Sequence, residues 1–205
     1  MDNVTACLIT WKRQENIPKI VDSLLKCDFI DEIIIRDNGK TENLINYGRF
    51  TSAVKAKNEI IYTQDDDCVI DNIEDIYYRF MEDPTRICHS GIEEYEKVIK
   101  DNIYGDTQMA MAGWGSFFKK SWIGVLDSYI NKYGKDYCFY RETDRIFSML
   151  LNRHHNFVLG KITHLDGVRD ENALSSQDDH LSYKHMAIER SLGLIKEALP
   201  LVASS

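Results

Sequence analysis

The first third of the chain alternates short apolar runs with segments of helical periodicity, and this order constrains the fold more than any other sequence feature. Residues 4–10, 31–36 and 59–63 are rich in β-branched side chains and are predicted as strands. Residues 16–26 and 49–58 carry the spacing of helices. A β-α-β-α-β order of this kind predicts an open α/β sheet, mostly parallel, with helices packed against its faces.

The second predicted strand, residues 31–36, is continuously apolar at its centre, which predicts burial on both faces. Further helices are predicted over residues 73–81, 121–132, 142–153 and 181–199. Further strands are predicted over residues 109–118 and 157–162, with residues 95–104 as an exposed segment or edge strand and 164–179 as a loop. The sequence contains no internal repeat and no domain boundary, so one domain over residues 1–205 is predicted.

The bulk composition excludes several classes of protein. A net charge of -8 disfavours a nucleic acid as the partner, because such a partner requires a basic surface. Five cysteines without CxxC spacing predict reduced, mostly buried thiols rather than a zinc site. The sequence shows neither a signal peptide nor a transmembrane segment, so a cytoplasmic location is predicted.

Polar clusters follow each of the first three predicted strands. They are Thr10-Trp11-Lys12-Arg13, Asp37-Asn38 and Asp65-Asp66-Asp67. Ligands of open α/β sheets bind beyond the carboxyl ends of the strands. We therefore expect the three clusters to meet at one ligand site.

The acidic triplet is the strongest of these signals. Three adjacent carboxylates repel one another unless a cation or hydrogen bonds compensate. In an extended segment Asp65 and Asp67 point the same way, so together they can hold a hard divalent ion such as Mn²⁺ or Mg²⁺. Such ions commonly bridge substrate phosphates. The alternative is a solvated acidic turn without a ligand.

The other two clusters offer contacts for a nucleotide. Arg13 can face a diphosphate with Thr10 beside it, and Trp11 can line the site or belong to the core. Asp37 and Asn38 can bind a nucleotide base or ribose, or can form an Asx turn that binds nothing.

Candidates outside these clusters are less distinctive. Lys55 can reach a nucleotide or can be a solvated helix residue, and the same alternatives hold for Arg49. Gly115 leaves backbone amides accessible, and Trp114 offers a flat face for a sugar or a bend in a core strand. His164 follows a predicted strand and can complete a metal site, or can be structural.

Arg141 to Arg145 are predicted to open a helix, and two carboxylates lie in that segment. Glu142 and Asp144 can simply stabilise the helix through a favourable interaction of their charges with the helix dipole. Either can instead point into the site as a general base, which requires hydrogen-bond reach to an acceptor hydroxyl.

In order along the chain, these segments resemble the GT-A fold glycosyltransferases. Residues 8–13 resemble the family's first strand with its T-aromatic-x-R ending. Residues 33–39 resemble the second strand with its acidic end, and residues 59–67 resemble the strand that bears the DxD motif. Residues 113–117, together with Trp122, resemble the G-x-x-x-F-x-x-x-x-[FWL] segment of the family. Thr143-Asp144, together with Phe147, resemble the E-D-x-x-L motif at the start of a helix. The resemblance spans residues 4–166 and extends to small virus-encoded members that act on capsid glycans.

This resemblance implies a single Rossmann-like GT-A domain, with residues 1–105 as the nucleotide-binding half and residues 106–205 as the acceptor-binding half. It implies that Asp67, with Asp65 through water, holds Mn²⁺ or Mg²⁺ on the diphosphate of a UDP-sugar. It further implies that Thr10, Arg13 and Asp37 contact the nucleotide and that Asp144 is the catalytic carboxylate. Thr143 departs from the acidic pair of the family and displaces one carboxylate to Glu142.

The implied activity is metal-dependent transfer of a sugar from a UDP-sugar to a glycan or other hydroxyl acceptor, with inversion favoured over retention. One competing interpretation is a sugar-phosphate nucleotidyltransferase, although the loop after the first strand lacks the glycines typical of that class. The other is a catalytically inactive domain that binds a carbohydrate or nucleotide.

Overall fold

A computed structural model describes residues 2–91, 110, 112–151, 155–165 and 173–202. The strands are β1 (Val4–Thr10), β2 (Ile30–Asp37), β3 (Ile60–Gln64), β4 (Cys68–Ile70), β5 (Cys88–Gly91), β6 (Ser116–Lys119), β7 (Asn156–Leu159) and β8 (Ile162–His164). The α-helices are α1 (Ile17–Leu24), α2 (Tyr47–Ala53), α3 (Ile73–Glu82), α4 (Leu126–Tyr133), α5 (Tyr137–Leu150) and α6 (His180–Val202). Short 3₁₀ turns cover Gln14–Asn16, Ala112–Trp114, Lys120–Val125 and Leu174–Ser176.

Six strands form one mixed sheet in the order β2-β1-β3-β6-β5-β7. Strands β2, β1 and β3 are parallel, β6 runs antiparallel to both β3 and β5, and β7 is parallel to β5. Strands β4 and β8 form a separate antiparallel pair. The predicted α/β fold with a mostly parallel central sheet is confirmed. Because β6 lies between β3 and β5, the two predicted halves of the chain share this sheet.

Side chains along the central strands point alternately to the two faces of the sheet, so the core has two layers. Leu8 of β1 and Tyr62 of β3 pack on the face that α1 and α3 cover. Their neighbours Cys7 and Ile61 pack on the opposite face, against α2, α4 and α5. Successive strand residues point to opposite faces, so each central strand supplies both layers.

Several predicted elements differ from those observed. Strand β2 is the edge of the sheet, so the predicted burial on both faces is wrong, and Ile35 is 46% exposed. The predicted strand over residues 157–162 is two strands, β7 and β8, and the predicted strand over residues 109–118 is reduced to β6. Strands β4 and β5 are too short for a periodic pattern and were not predicted. Residues 95–104 lie outside the described residues.

The helix predicted over residues 142–153 begins five residues earlier, at Tyr137. Asp136 caps it, since its Oδ1 accepts a hydrogen bond from the Phe139 amide at 2.8 Å. The predicted opening of a helix at Arg141 is therefore wrong: that segment is in the helix interior, where Glu142 departs from helical geometry (φ −106°, ψ 19°). Asn46 binds the carbonyl of Arg141 through its side chain (2.6 Å) and that of Tyr140 through its amide (3.1 Å).

Two further predictions can be compared with the described residues. All five cysteines are free and buried, which confirms the predicted buried thiols. Across the described ranges, no helix combines the length and apolar character that a membrane span requires.

Candidate functional site

The acidic triplet forms the turn between β3 and β4, and hydrogen bonds hold it from several sides. The Gln64 side chain donates to the Cys68 carbonyl (2.7 Å) and so closes the turn beneath the three aspartates. The Asp65 amide donates to the Gly113 carbonyl, and the Leu165 amide donates to the Asp67 carbonyl, both at 2.7 Å. These bonds fix the backbone of the turn despite the mutual repulsion of its three carboxylates.

Asp66 faces the loop that follows β1. Its carboxylate accepts hydrogen bonds from the Trp11 amide and from Arg13 Nη1, both at 3.0 Å, and its own carbonyl accepts one from Asn16 at 2.9 Å. Burial raises the pKa of Asp66, while the bonds from Trp11, Thr10 and Arg13 oppose that rise. Asp66 therefore joins the ends of β1 and β3, and it positions Trp11 and Arg13 at the edge of the site.

Asp65 and Asp144 are joined by a buried arginine. Arg49, in α2, is 1% exposed, and its Nη2 lies 2.6 Å from Asp65 Oδ1. Its Nε lies 3.3 Å from Asp144 Oδ1, an ion pair without hydrogen-bond geometry, and its Nη1 donates to Thr63 at 3.2 Å. Burial opposes the charge of Arg49, but Asp144 and Asp65 outweigh it and raise the pKa of the guanidinium.

Asp67 has a carboxylate oxygen that is not paired within the described part of the chain. This oxygen, Oδ1, is buried. Burial, followed by the charge of Asp65, raises the pKa of Asp67 to about 7. Such an oxygen is costly to bury without a partner, and a hard divalent ion between Asp65 and Asp67 would supply one.

The charges of the site fit the same ion. The contacts described join four carboxylates (Asp65, Asp66, Asp67 and Asp144) to two guanidinium groups (Arg13 and Arg49). These contacts alone therefore hold two more carboxylates than guanidinium groups, while the charge of Arg145 also acts on Asp144. Burial also raises the pKa of Asp144 to about 7, with Asp65 adding to the rise and Arg49 opposing it. One divalent cation would offset this excess without protonation.

Asp37 is placed at the end of β2, beside the end of β1. Its Oδ1 accepts hydrogen bonds from the Gly39 amide (2.8 Å) and from Gln14 (3.2 Å), which is the Asx turn that the sequence suggests. Although burial acts the other way, these bonds and the nearby Lys40 lower the pKa of Asp37. Thr10 is the register partner of Asp37 and is buried at the same edge.

The chain was compared with known proteins. No protein-family profile and no curated protein sequence matches it. Its structure is similar to that of glucosyl-3-phosphoglycerate synthase from Mycobacterium tuberculosis in complex with Mn²⁺, UDP-glucose and phosphoglyceric acid, with a TM-score of 0.56 and 10% identity over 93% of this chain and 80% of that chain. The same synthase in complex with Mg²⁺ and UDP gives a TM-score of 0.53 and 9% identity over 93% of this chain and 79% of that chain. The chain has the GT-A fold.

Within the GT-A fold of this chain, the structure brings most predicted site residues together. Thr10, Trp11, Arg13, Asp37 and the acidic triplet all lie at the carboxyl edge of β1, β2 and β3. Asp144 reaches the same region from α5 through Arg49. No comparison tests the roles of these residues, so the roles stay predictions.

Asn38 and Glu142 lie close to the site, but their side chains are engaged elsewhere. The Asn38 amide donates to the Ile45 carbonyl (3.1 Å) and its oxygen accepts from Arg36 (3.0 Å), so it braces the turn after β2. Glu142 is buried between Arg145 (3.0 Å) and Arg141 (3.6 Å). The geometry therefore favours Asp37 over Asn38 as a ligand, and Asp144 over Glu142 as a base.

Lys55 lies at the wrong edge of the sheet for its predicted role. It follows α2, which returns the chain to the amino end of β3, and it is exposed there. The neighbouring Ala56 carbonyl accepts from Lys120, which follows the residue paired with Ile60 at the start of β3. The site lies beyond the other end of β3, so α2 contributes Arg49 from its first turns instead of Lys55.

His164 is brought near the acidic triplet but not into a metal site. It is the β8 partner of Cys68, one residue beyond Asp67, and is exposed. In the described part of the chain, no group of three or more His, Cys, Asp and Glu side chains has an arrangement that could hold a metal ion. The structure therefore does not support the predicted contribution of His164, and the roles of Asp65 and Asp67 as metal ligands stay predictions.

Residues 112–115 form the wall of the site beside Asp65. Gly115 has a φ of +84°, and the 3₁₀ turn before it packs the half-buried Trp114 against the core. At Gly113, a Cβ would overlap the Asp65 carboxylate. A side chain at position 113 would therefore push Asp65 away from Arg49.

We expect Gly113→Ala to lower the free energy of unfolding by about 1–3 kcal/mol, the usual cost of overpacking a close contact. The matched control is Gly124→Ala, because a Cβ there meets no atom within 4 Å. Denaturant unfolding of both variants measures the difference. If Gly113→Ala is as stable as Gly124→Ala, then Asp65 is not held in the contact described.

Proposed function

We propose that this protein is a metal-dependent glycosyltransferase that moves a sugar from a UDP-sugar donor to a carbohydrate or other hydroxyl acceptor. The observation that carries the proposal is the buried Asp67 oxygen without a hydrogen-bond partner among the described residues, beside Asp65 at the carboxyl edge of a GT-A sheet. The structural similarity to a synthase crystallised with Mn²⁺ and UDP-glucose supports the same donor class.

Asp65 and Asp67 are the residues that would hold Mn²⁺ or Mg²⁺. When bound, the ion would neutralise the negative charge that grows on the diphosphate as the sugar leaves. Arg13, which forms an ion pair with Asp66, would add positive charge at the same edge. Asp37 and Thr10 would contact the nucleoside, and their position at the ends of the neighbouring strands β2 and β1 supports this.

Asp144 is the residue proposed to accept the proton of the acceptor hydroxyl. It is 19% exposed, so a bound hydroxyl can reach it, and burial keeps its pKa near 7, where a general base is most effective. Arg49 fixes the carboxylate and links it to the donor side through Asp65. A base so placed supports direct displacement, and we therefore propose inversion at the sugar.

The predicted organisation completes the proposal. Residues 1–105 would supply the donor-binding residues and residues 106–205 would supply Asp144 and the acceptor site. A cytoplasmic location likewise stays a prediction.

A thermal-shift panel of UDP, GDP and CMP, each with and without Mn²⁺, tests the proposed donor class. A ligand that binds only the folded state at 100 times its Kd stabilises it by about 2.7 kcal/mol. For a chain of this length we expect UDP with Mn²⁺ to raise the midpoint by about 5–10 °C. The rise should be absent with UDP alone and smaller with GDP or CMP. If no nucleotide gives a metal-dependent shift, the proposed function is wrong.

A further inference from the structure

Strand β2 forms one edge of the six-stranded sheet, and its outer side is open. It pairs with β1, and no other strand in the described part of the chain lies beside it. An edge strand offers unpaired backbone N–H and C=O groups to another chain, and proteins usually shorten, cover or charge such edges. With eight residues, β2 is instead the longest strand that the structure describes.

The backbone groups of Ile33 and Ile35 point away from the sheet. The Asn38 amide donates to the Thr10 carbonyl of β1 at 2.9 Å. The register between β1 and β2 is regular from Thr5 to Thr10, so every second residue counted back from Asn38 has its backbone groups towards β1, and the residues between them have theirs outwards. No described residue forms a hydrogen bond with Ile33 or Ile35 on this outer side. These groups can therefore pair with a second strand.

The side chains of β2 are apolar in the middle of the strand and charged at both ends. Ile33 packs against the core layer under α1 and α3, and Ile34 packs against the opposite layer. Ile35 shares the face of Ile33 but is 46% exposed. The ends of the strand are Asp31-Glu32 and Arg36-Asp37. An isoleucine exposed on an open edge is a feature that edge strands normally avoid, and it favours pairing with another strand.

The sequence of β2 is complementary to itself when two copies pair antiparallel about Ile34. In this register Ile33 of one copy lies opposite Ile35 of the other, and Glu32 lies opposite Arg36. Pairs of β-branched side chains and pairs of opposite charge are both favourable across two strands. A shift by two residues is the smallest that keeps each side chain on its own face of the sheet, and it would place isoleucines opposite charged residues.

Glu32 and Arg36 are suited to pair between two copies. They lie on the same face of β2, on either side of Ile34. Neither forms a salt bridge with a described residue. The Glu32 carboxylate accepts a hydrogen bond from the Thr5 hydroxyl (2.6 Å), and Arg36 donates to neutral oxygens, one of them the Glu42 carbonyl (2.7 Å). An ion pair with the other copy would therefore add a counter-charge to each of them.

The like charges at the ends of the strand are compensated within each copy. The same register places Asp31 opposite Asp37. The Lys57 ammonium lies 3.1 Å from the Asp31 carboxylate, and the Lys40 ammonium lies 3.5 Å from the Asp37 carboxylate. The pairing therefore does not bring two uncompensated carboxylates together.

We propose that the protein forms a dimer in which the β2 strands of two copies pair antiparallel about a two-fold axis at Ile34. The two sheets then form one continuous sheet. The partner is a second copy because both the isoleucine pairs and the charge pairs arise from β2 itself, as a two-fold interface requires. This interface is independent of the proposed sugar transfer, so either proposal can fail without the other.

Sedimentation velocity over a series of protein concentrations tests the dimer. We expect the wild type to have twice the mass of one chain and to dissociate on dilution. Ile35→Lys should remain folded, since the side chain lies at the surface, and should sediment as a monomer, because it places a charge between the paired strands. The matched control is Leu159→Lys, which is 50% exposed in β7 at the opposite edge of the sheet and should dimerise as the wild type does.

An exchange of charges tests the register. Arg36→Glu and Glu32→Arg should each sediment as monomers, because each variant places like charges opposite one another at both ends of the pair. An equimolar mixture of the two variants should form a mixed dimer, since one strand is then acidic where the other is basic. A mixed dimer requires both chains to be folded, so this experiment separates lost pairing from lost folding.

Three results would overturn the β2 interface. A wild type that is monomeric at every concentration would exclude self-pairing and would leave an extended segment of another protein as the occupant of this edge. A dimer that Ile35→Lys does not weaken, or that Leu159→Lys weakens equally, would place the interface elsewhere. A mixture of folded Arg36→Glu and Glu32→Arg chains that stays monomeric would exclude the register about Ile34.

Discussion

Asp144→Asn is expected to lower the rate of sugar transfer by roughly 10²–10⁴-fold, the usual contribution of a general base. The amide keeps the shape of the side chain but cannot accept the acceptor proton. Arg49 retains its contact with Asp65 at 2.6 Å, so the donor side should remain intact. The UDP affinity measured with Mn²⁺ should therefore change little, and only kcat should fall.

The control for this variant is Asp75→Asn, an exposed aspartate of α3, which should transfer at the wild-type rate. Glu142→Gln separates the two candidate bases, since Glu142 is held between Arg141 and Arg145. If Asp144→Asn retains transfer and Glu142→Gln loses it, the base has been assigned to the wrong carboxylate.

The pH profile of the wild type gives a second readout of the same residue. Burial raises the pKa of Asp144 to about 7, so the protonated form dominates below that pH. Transfer under limiting substrate should rise as the pH increases towards 7 and level off above it. The effect on stability has the opposite sign: because the folded pKa lies above the ordinary value near 4, the unfolded chain loses this proton first, and the free energy of unfolding falls as the pH rises from about 4 to about 7.

Arg49→Met should have the largest effect on stability of the substitutions considered. It would leave Asp65 and Asp144 without their shared cation, and removing one partner of a buried pair costs about 3–5 kcal/mol. Since the Asp65 side chain is 36% exposed, we expect a loss near the lower end, about 3 kcal/mol. Denaturant unfolding at neutral pH measures it.

The matched control is Arg79→Met, because the Arg79–Glu82 pair is on the surface with side chains 51% and 63% exposed. Surface pairs of this kind contribute about 0–1 kcal/mol. The double variant Arg49→Met with Asp144→Asn should be less destabilised than the sum of its parts, because one unpaired carboxylate is removed. Equal losses for Arg49→Met and Arg79→Met would contradict the buried bridge.

The sequence was most informative where a local pattern decides the structure. Strand β1 is observed as predicted, and α1 and β3 lie within one or two residues of their predicted bounds. The acidic triplet lies at the end of β3, as predicted. Because parallel strands place their carboxyl ends at one edge of the sheet, the triplet lies beside the ends of β1 and β2. These features depend on residues close together in the chain.

Features that depend on the order of strands could not be predicted. The run of isoleucines in β2 has the composition of a central strand, but no local pattern shows that β2 is the edge of the sheet. The same limit explains Lys55, whose position relative to the site depends on which end of α2 faces the ligand edge.

Arg49 is the residue of the candidate site whose contacts were hardest to predict from the sequence. The sequence leaves open whether it contacts a nucleotide or is a solvated helix residue, whereas its observed partners Asp65 and Asp144 lie 16 and 95 positions away in the sequence. One signal was available: Arg49 lies in the segment Tyr47–Ala53, whose other side chains are small, apolar or aromatic. A single charge in such a segment indicates a buried ion pair, but its partners become evident only from the fold.

The start of α5 was mispredicted for a different reason. Asp136 three residues before Phe139 is an ordinary capping signal, but the acidic residues Glu142 and Asp144 gave a stronger apparent start. The kink at Glu142 leaves backbone carbonyls for Asn46 to bind, and this distant contact is invisible in the local sequence.

Titration calorimetry of UDP in the presence of Mn²⁺, on the wild type and on Asp67→Asn, tests the central claim most directly. We predict that the wild type binds UDP only when Mn²⁺ is present and that Asp67→Asn loses this binding while remaining folded. Asp71→Asn, an aspartate just beyond β4 and exposed, is the matched control and should bind as the wild type does. UDP binding that is independent of the metal, or that survives in Asp67→Asn, would contradict the assignment of this edge of the sheet as a metal-diphosphate site.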